Sequence, residues 1–201
     1  MIRCLVTDRR RLCPDAATFA AARSCLVEQV RRAVAAGIDL IQVRERDLEA
    51  ADLAALVADV VAVTRESPTR VVVNDRLDVA LACRADGVHL RGDSYAVKDA
   101  RRLLPPPFLV GRSVHTVAEA ALASGADYVI AGTVFPSVSK PGAPPAQLLG
   151  LDGLRNIVKA SPMPVFAIGG ITPDRIDAVL AAGADGVAAI GLFIDSLKTA
   201  S

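Results

Sequence analysis

Eight short apolar runs recur along the 201-residue chain: IRCLV, LIQV, RVVV, GVHL, FLVG, YVIAG, PVFAI and GVAAI. None alternates with polar residues, and strands that read this way are buried on both faces of a parallel sheet. Helix-period segments lie between them. In Arg23 to Ala36, Leu26, Val27, Val30, Ala33 and Val34 share a stripe, with Glu28, Arg31 and Arg32 opposite. Leu53–Val63, Leu77–Cys83, Ala96–Leu104, Val117–Ser124, Leu151–Ala160, Pro173–Ala182 and Leu192–Lys198 behave in the same way. A weak repeat marks four of the returns to a strand: AAGIDLI, CRADGVHL, ASGADYVI and AAGADGVA place a small residue at the helix end and an acid before the strand. Eight strand–helix units in about 200 residues predict a single-domain (β/α)8 TIM barrel over residues 1–201. An open flavodoxin-like sheet would need only five or six such units.

Active sites of this fold sit at the carboxyl ends of the strands. Polar groups gather there: Gln42 to Arg46 after the second run, Asn74-Asp75-Arg76 after the third, and His89 to Asp93 at the fourth. Arg112-Ser113-Val114-His115 follows the fifth and Gly132-Thr133 through Lys140 the sixth, so one polar mouth is expected. Arg44 and Arg46 alternate with Glu45, so the two cations are expected on one face as a fork for phosphate or carboxylate, or as a rim salt-bridge pair. The pairs Gly169-Gly170 and Ile190-Gly191 follow the last two runs and lead into helices. Glycine lets backbone N–H groups approach an anion, and a helix N-terminus adds its positive dipole, so a phosphate cradle is expected there. His115 stands at a strand-to-helix junction where an imidazole could exchange protons near neutral pH, whereas His89 reads equally as packed or functional. No Cys or Asp pair is suitably spaced to complete a zinc site with either histidine. Ser137, Ser139 and Lys140 add hydroxyls and a cation within a Pro-rich stretch, Ser137 to Pro145, expected as one long loop.

Composition excludes several classes. With 23 basic and 22 acidic side chains, net charge +1 and 3% aromatics, the chain lacks the clustered charge and stacking surface that nucleic-acid or membrane partners require. Cys4, Cys13, Cys25 and Cys83 form no C-x-x-C pair or compact framework and are expected as free thiols in a reducing cytosol. The chain opens directly on a strand-like run, without a signal-peptide pattern, and no apolar run approaches the roughly 18 residues of a spanning helix, so a cytoplasmic location is expected.

QVRER, VNDRLDVALACRADGVHL, GRSVH, GADYVIAGTVFPSVSK, PVFAIGGITP and GADGVAAIG, in this order and across nearly the whole chain, resemble the thiamine phosphate synthase/TenI family. The resemblance implies a TIM barrel acting on a thiazole ethyl phosphate, and an often dimeric one. It implies two possible chemistries: a Mg²⁺-dependent synthase that joins a pyrimidine diphosphate to the thiazole, and a metal-free tautomerase that aromatises the carboxythiazole. Carried over by motif, Asn74 and Asp75 match the synthase's pyrimidine-diphosphate and Mg²⁺ region, Ser113 its diphosphate contact, and Ser137, Ser139 and Lys140 its loop over both substrates. Gly169, Gly170, Ile190 and Gly191 match the thiazole-phosphate cradle, and His115 the tautomerase's acid/base histidine. Arg46 stands where the synthase pattern has lysine. HLRGDS places Asp93 one residue early for a second Mg²⁺ ligand, while PSVSK keeps the synthase loop. These departures favour the tautomerase, with His115 moving the proton, Arg44 or Arg46 holding the carboxylate, Thr133 lining the mouth, and no cofactor. The synthase, with Mg²⁺ on Asp75 and Asp93, is the alternative, and a non-catalytic binding barrel is the third reading.

Overall fold

The computed structural model describes residues 1–104, 106–137 and 148–198. Eight parallel strands close into a barrel in the order of the sequence: β1 (Ile2–Val6), β2 (Leu40–Val43), β3 (Arg70–Asn74), β4 (Gly87–Leu90), β5 (Leu109–Val114), β6 (Tyr128–Gly132), β7 (Val165–Ile168) and β8 (Gly186–Ala189). All eight apolar runs are strands, in the (β/α)8 arrangement that their spacing predicts. The helices are α1 (Arg9–Leu12), α2 (Phe19–Ala35), α3 (Ala50–Thr64), α4 (Leu77–Ala82), α5 (Val97–Leu103), α6 (Val117–Leu122), α7 (Gly150–Ala160), α8 (Ile176–Ala181) and α9 (Gly191–Lys198). A 3-10 turn, Pro173–Arg175, precedes α8.

The chain packs as two compact units: residues 4–88 with the chain from Ile190 onward, and residues 1–3 with 89–189. In the first unit, β1, β2 and β3 run in register, Leu5 opposite Ile41 and Gln42 opposite Val72, and α2 packs on α3. In the second, β5 to β8 pair successively, Ser113 opposite Ile130 and Ala167 opposite Val187.

The acid that precedes β4, β6 and β8 has a physical function. Asp86, Asp127 and Asp185 each accept a hydrogen bond from the first or second N–H of the strand before their own: Val71 at 2.8 Å, Val110 at 2.6 Å and Val165 at 2.8 Å. Their own N–H groups donate back to the carbonyls of Val71, Val110 and Val165. A carboxylate thus satisfies backbone groups where a strand begins, and each unit is tied to the one before it. Arginines complete two of these corners, Arg70 with Asp86 at 2.7 Å and Arg101 with Asp127.

Helix starts also differ from the periodicity. The α2 helix begins at Phe19 rather than Arg23, because the Thr18 hydroxyl accepts from the Ala21 N–H and caps it. Asp8 caps α1 in the same way through Arg11 N–H, and this one-turn helix has no apolar period to predict it. The thiols correct one expectation: Cys13, just after α1, is paired with Cys25 of α2 as a disulfide, Cα–Cα 6.7 Å, within the usual range. Cys4 and Cys83 are free, and burial pushes both thiols up in pKa, away from reactivity. Among the described residues no helix is long and apolar enough to cross a membrane.

Candidate functional site

In the first unit the strand ends are organised by a buried carboxylate. Glu45 lies two residues beyond the end of β2 and is only 5% exposed. It accepts from the Thr7 hydroxyl at 2.7 Å, the Arg9 backbone N–H at 3.1 Å and the Arg9 guanidinium at 2.8 Å. Thr7 in turn accepts from the Arg44 N–H at 2.9 Å. Past the end of the strand Glu45 is buried, Arg44 half-buried and Arg46 exposed. Glu45 takes Arg9 of α1 as its partner, a pairing across 36 residues that strand spacing cannot show. Burial lifts the Glu45 carboxyl above its usual range, and its bonds to Arg9 and Thr7 pull against that rise.

Arg9 also forks onto Asp47, with bonds of 2.7 and 2.5 Å, and Arg10 reaches the same carboxylate at 2.7 Å. The Arg9 bond pulls Asp47 down to about 2. A depressed folded pKa means that Asp47 stabilises the fold above its unfolded value near 3.9 and loses that contribution as pH falls towards 2. Asp47→Asn is therefore expected to melt below wild type at pH 6, with the gap closing as pH drops from about 4 to 2. Thermal melts across that range check it, and a constant gap would refute it. Glu45, shifted the other way, works against this acid limb, because the folded state takes up its proton more readily than the unfolded chain.

At the end of β3, the Gln42 amide donates to the Asn74 side-chain carbonyl at 3.0 Å, which fixes the face that Asn74 presents. Asp75 has φ +62°, a left-handed backbone that non-glycine residues seldom adopt and that concentrates at functional sites. At the start of α9, the Arg11 guanidinium lies over Gly191, where a Cβ would meet it at 3.1 Å. Arg11 thus puts a cation beside half of the expected phosphate cradle, a neighbour with no signal in the sequence pattern.

In the second unit His89 is buried, 1% exposed, with its ring between two hydroxyls: Tyr128 at 3.3 Å from Nδ1 and Ser113 at 2.9 Å from Nε2. Tyr128 stacks on Phe166 with centroids 5.0 Å apart, and Gly111 leaves the space, since a Cβ there would strike the Tyr128 ring and come within 2.6 Å of His89 Nδ1. His89 is thus packed and also bonded to a candidate substrate contact, Ser113. His115 is exposed. Its N–H donates to Glu119 at 2.6 Å and its Nδ1–H to the Gly132 carbonyl, an arrangement that in the neutral ring makes Nε2 the acceptor nitrogen. Thr133 is buried just beyond β6, and Ser137 is half-buried. Ser139, Lys140 and most of the Pro-rich loop lie outside the described residues.

The two glycines after β7 take positive φ, +103° at Gly169 and +62° at Gly170. A Cβ on Gly169 would run into Thr133, and one on Gly170 into the Pro136 carbonyl and Phe135. The cradle expected here is packed directly against the β6 loop.

Among the described residues no three His, Cys, Asp or Glu side chains form a metal cage. Mg²⁺ commonly binds through one or two carboxylates together with substrate phosphates and waters, and Asp75 places one carboxylate just beyond the end of β3. Asp93 is less ready: its carboxylate is paired with Arg91 and its side chain is 69% exposed.

The fold defines the class, a (β/α)8 barrel, which the chain shares with a 3-hexulose-6-phosphate synthase at 20% identity (TM-score 0.61, 95% of this chain and 90% of that one). The chain belongs to the thiamine monophosphate synthase family, TMP-TENI, whose model matches residues 12–193. Two relatives named thiamine-phosphate synthase are those of Methanoregula boonei, 46% identical over 169 residues (83% of this chain, 77% of the relative), and Methanoculleus marisnigri, 45% identical over 166 (82% and 78%). A solved thiamine phosphate pyrophosphorylase from Pyrococcus furiosus is 34% identical, with a TM-score of 0.79 over 98% of this chain and 94% of that one.

Proposed function

We propose that the protein is a thiamine-phosphate synthase, joining a hydroxymethylpyrimidine diphosphate to a thiazole ethyl phosphate with release of diphosphate. The carrying observation is similarity over more than four-fifths of the chain, at 45–46% identity, to relatives of that name. It outweighs the local departures, Arg46 and HLRGDS, that favour a tautomerase from sequence, and the active-site reading moves accordingly.

In this reaction the bond from the pyrimidine methylene to diphosphate oxygen breaks, and the thiazole nitrogen supplies the electron pair of the new C–N bond. The protein's task is to hold two anionic substrates in line and to stabilise charge on the leaving oxygen. Arg44 and Arg46 supply cations for the diphosphate, with Lys140 of the β6 loop as a third. Ser113, oriented by His89, donates to the same group, and Gln42 holds Asn74 ready for the pyrimidine side. Asp75, with Asp93 if it leaves Arg91, would hold Mg²⁺, which neutralises charge on a departing diphosphate. Gly169-Gly170 and Ile190-Gly191, with Arg11 beside the latter, take the thiazole phosphate through backbone N–H groups. A cytoplasmic location, small-molecule partners alone and a homodimer complete the proposal.

His115 supports a second reading. With Nδ1–H given to Gly132, its Nε2 is oriented as a base, the arrangement a proton-shifting tautomerase needs. Growth separates the two. Expression in a bacterial strain lacking its synthase should restore growth without thiamine, whereas rescue only of a strain lacking a thiazole tautomerase would favour His115 chemistry.

A further inference from the structure

The phosphate loop after β7 is a run of three peptides whose carbonyls are each held. The Ile168 carbonyl accepts from the Val134 N–H at 2.9 Å and the Gly169 carbonyl from the Phe135 N–H at 3.0 Å. The Gly170 carbonyl accepts from the guanidinium of Arg175, in the 3-10 turn just beyond the loop, at 2.8 Å. In a trans peptide the carbonyl and the next residue's N–H point in opposite directions. Fixing those carbonyls therefore turns the N–H groups of Gly169, Gly170 and Ile171 away from the β6 loop and from Arg175. The first two orientations are set by backbone, as a continuation of the β6–β7 ladder. The third rests on a side chain. With φ +62° and no Cβ, Gly170 leaves its side of this peptide free to rotate, so the plane benefits from an external hold.

Arg175 is itself fixed. Its guanidinium lies over the Phe135 ring, 4.7 Å from the centroid, while its Nη1 reaches Gly170. Phe135 precedes Pro136 and Ser137, the start of the loop proposed to cover the substrates. One half-buried arginine thus bridges the phosphate loop and the covering loop, with a cation–π contact on one side and a charge-assisted hydrogen bond on the other.

We infer that Arg175 is a positioning residue for the thiazole phosphate: it sets the Gly170–Ile171 peptide so that the Ile171 N–H faces the phosphate, without touching the ligand itself. The inference rests on the proposed function only for the identity of that ligand. Calorimetry with thiazole ethyl phosphate and, separately, with the pyrimidine diphosphate tests it on the full chain. Arg175→Met should weaken thiazole phosphate about tenfold, the loss expected for one hydrogen bond to a charged group. It should leave the pyrimidine diphosphate unchanged, and Arg175→Lys, which keeps a donor, should recover most of the loss. Phe135→Leu, which removes only the ring, should weaken thiazole phosphate about threefold, and this variant decides the matter should Arg175→Met fail to fold. Unchanged thiazole phosphate affinity in the folded variants, or equal weakening of both ligands, would overturn the inference. Turnover is a separate readout. Wild type that binds thiazole phosphate but forms no thiamine phosphate contradicts the synthase and leaves Arg175 to be judged on binding; wild type that does not bind it at all overturns both.

Discussion

Asp75→Asn is expected to lower thiamine phosphate formation by about 10²-fold while leaving the melting temperature nearly unchanged. Asparagine tolerates the left-handed backbone at φ +62° almost as well as aspartate and differs mainly by the loss of charge. The loss is of the order measured when one preorganised charge-stabilising group is removed from an active site. Alanine at the same position would add a backbone penalty of about 1 kcal/mol and mix stability with chemistry. Steady-state rates at saturating Mg²⁺, paired with thermal melts, check the expectation. Retention of more than a third of the rate would remove Asp75 from the metal-binding role.

Gly170→Val is expected to abolish detectable thiazole phosphate binding and to destabilise the fold by roughly 3 kcal/mol or more, from left-handed strain and overpacking combined. The obstruction is steric, and the structure shows what the added side chain meets. A Cβ on residue 170 meets the Pro136 carbonyl and, at 2.8 Å, Phe135, so the first clash is with the protein's own β6 loop. No charge is removed, which separates this variant from any change at Arg44 or Arg46. Calorimetry against thiazole phosphate and denaturant melts check it. Wild-type affinity in a folded variant would place the phosphate elsewhere.

The barrel was legible because its signals are local. Each strand is a short, unalternated apolar run, and the acids at Asp86, Asp127 and Asp185 recur at the residue just before β4, β6 and β8. The candidate site was legible as far as it depends on strand ends, since Asn74, Asp75, Ser113, Thr133, Gly169 and Gly191 all lie just inside or just beyond their strands. What escaped depends on pairs distant in sequence. Arg9 sits in RRRL, with no apolar period to mark a helix, and its partner Glu45 lies 36 residues away. The bonds from His89 to Ser113 and Tyr128, and the stacking of Arg175 on Phe135, likewise need tertiary contact to be seen. Cys13 and Cys25 read as free thiols because their spacing of 12 matches no compact framework, yet the capped start of α2 brings them together. The chemistry favoured from sequence differs from the one that the relatives' names favour, for a related reason. Arg46 and Asp93 are two positions that differ from the synthase pattern, and two local departures carry less weight than agreement along the whole chain.

The most direct test supplies purified protein with the pyrimidine diphosphate and thiazole phosphate, and separately with the carboxythiazole tautomer, each with Mg²⁺ and with EDTA. The synthase reading predicts thiamine phosphate and diphosphate in equal amounts, only with Mg²⁺, and loss of both in Asp75→Asn. Aromatisation of the carboxythiazole that survives EDTA and collapses in His115→Asn, with no thiamine phosphate formed under any condition, would contradict it.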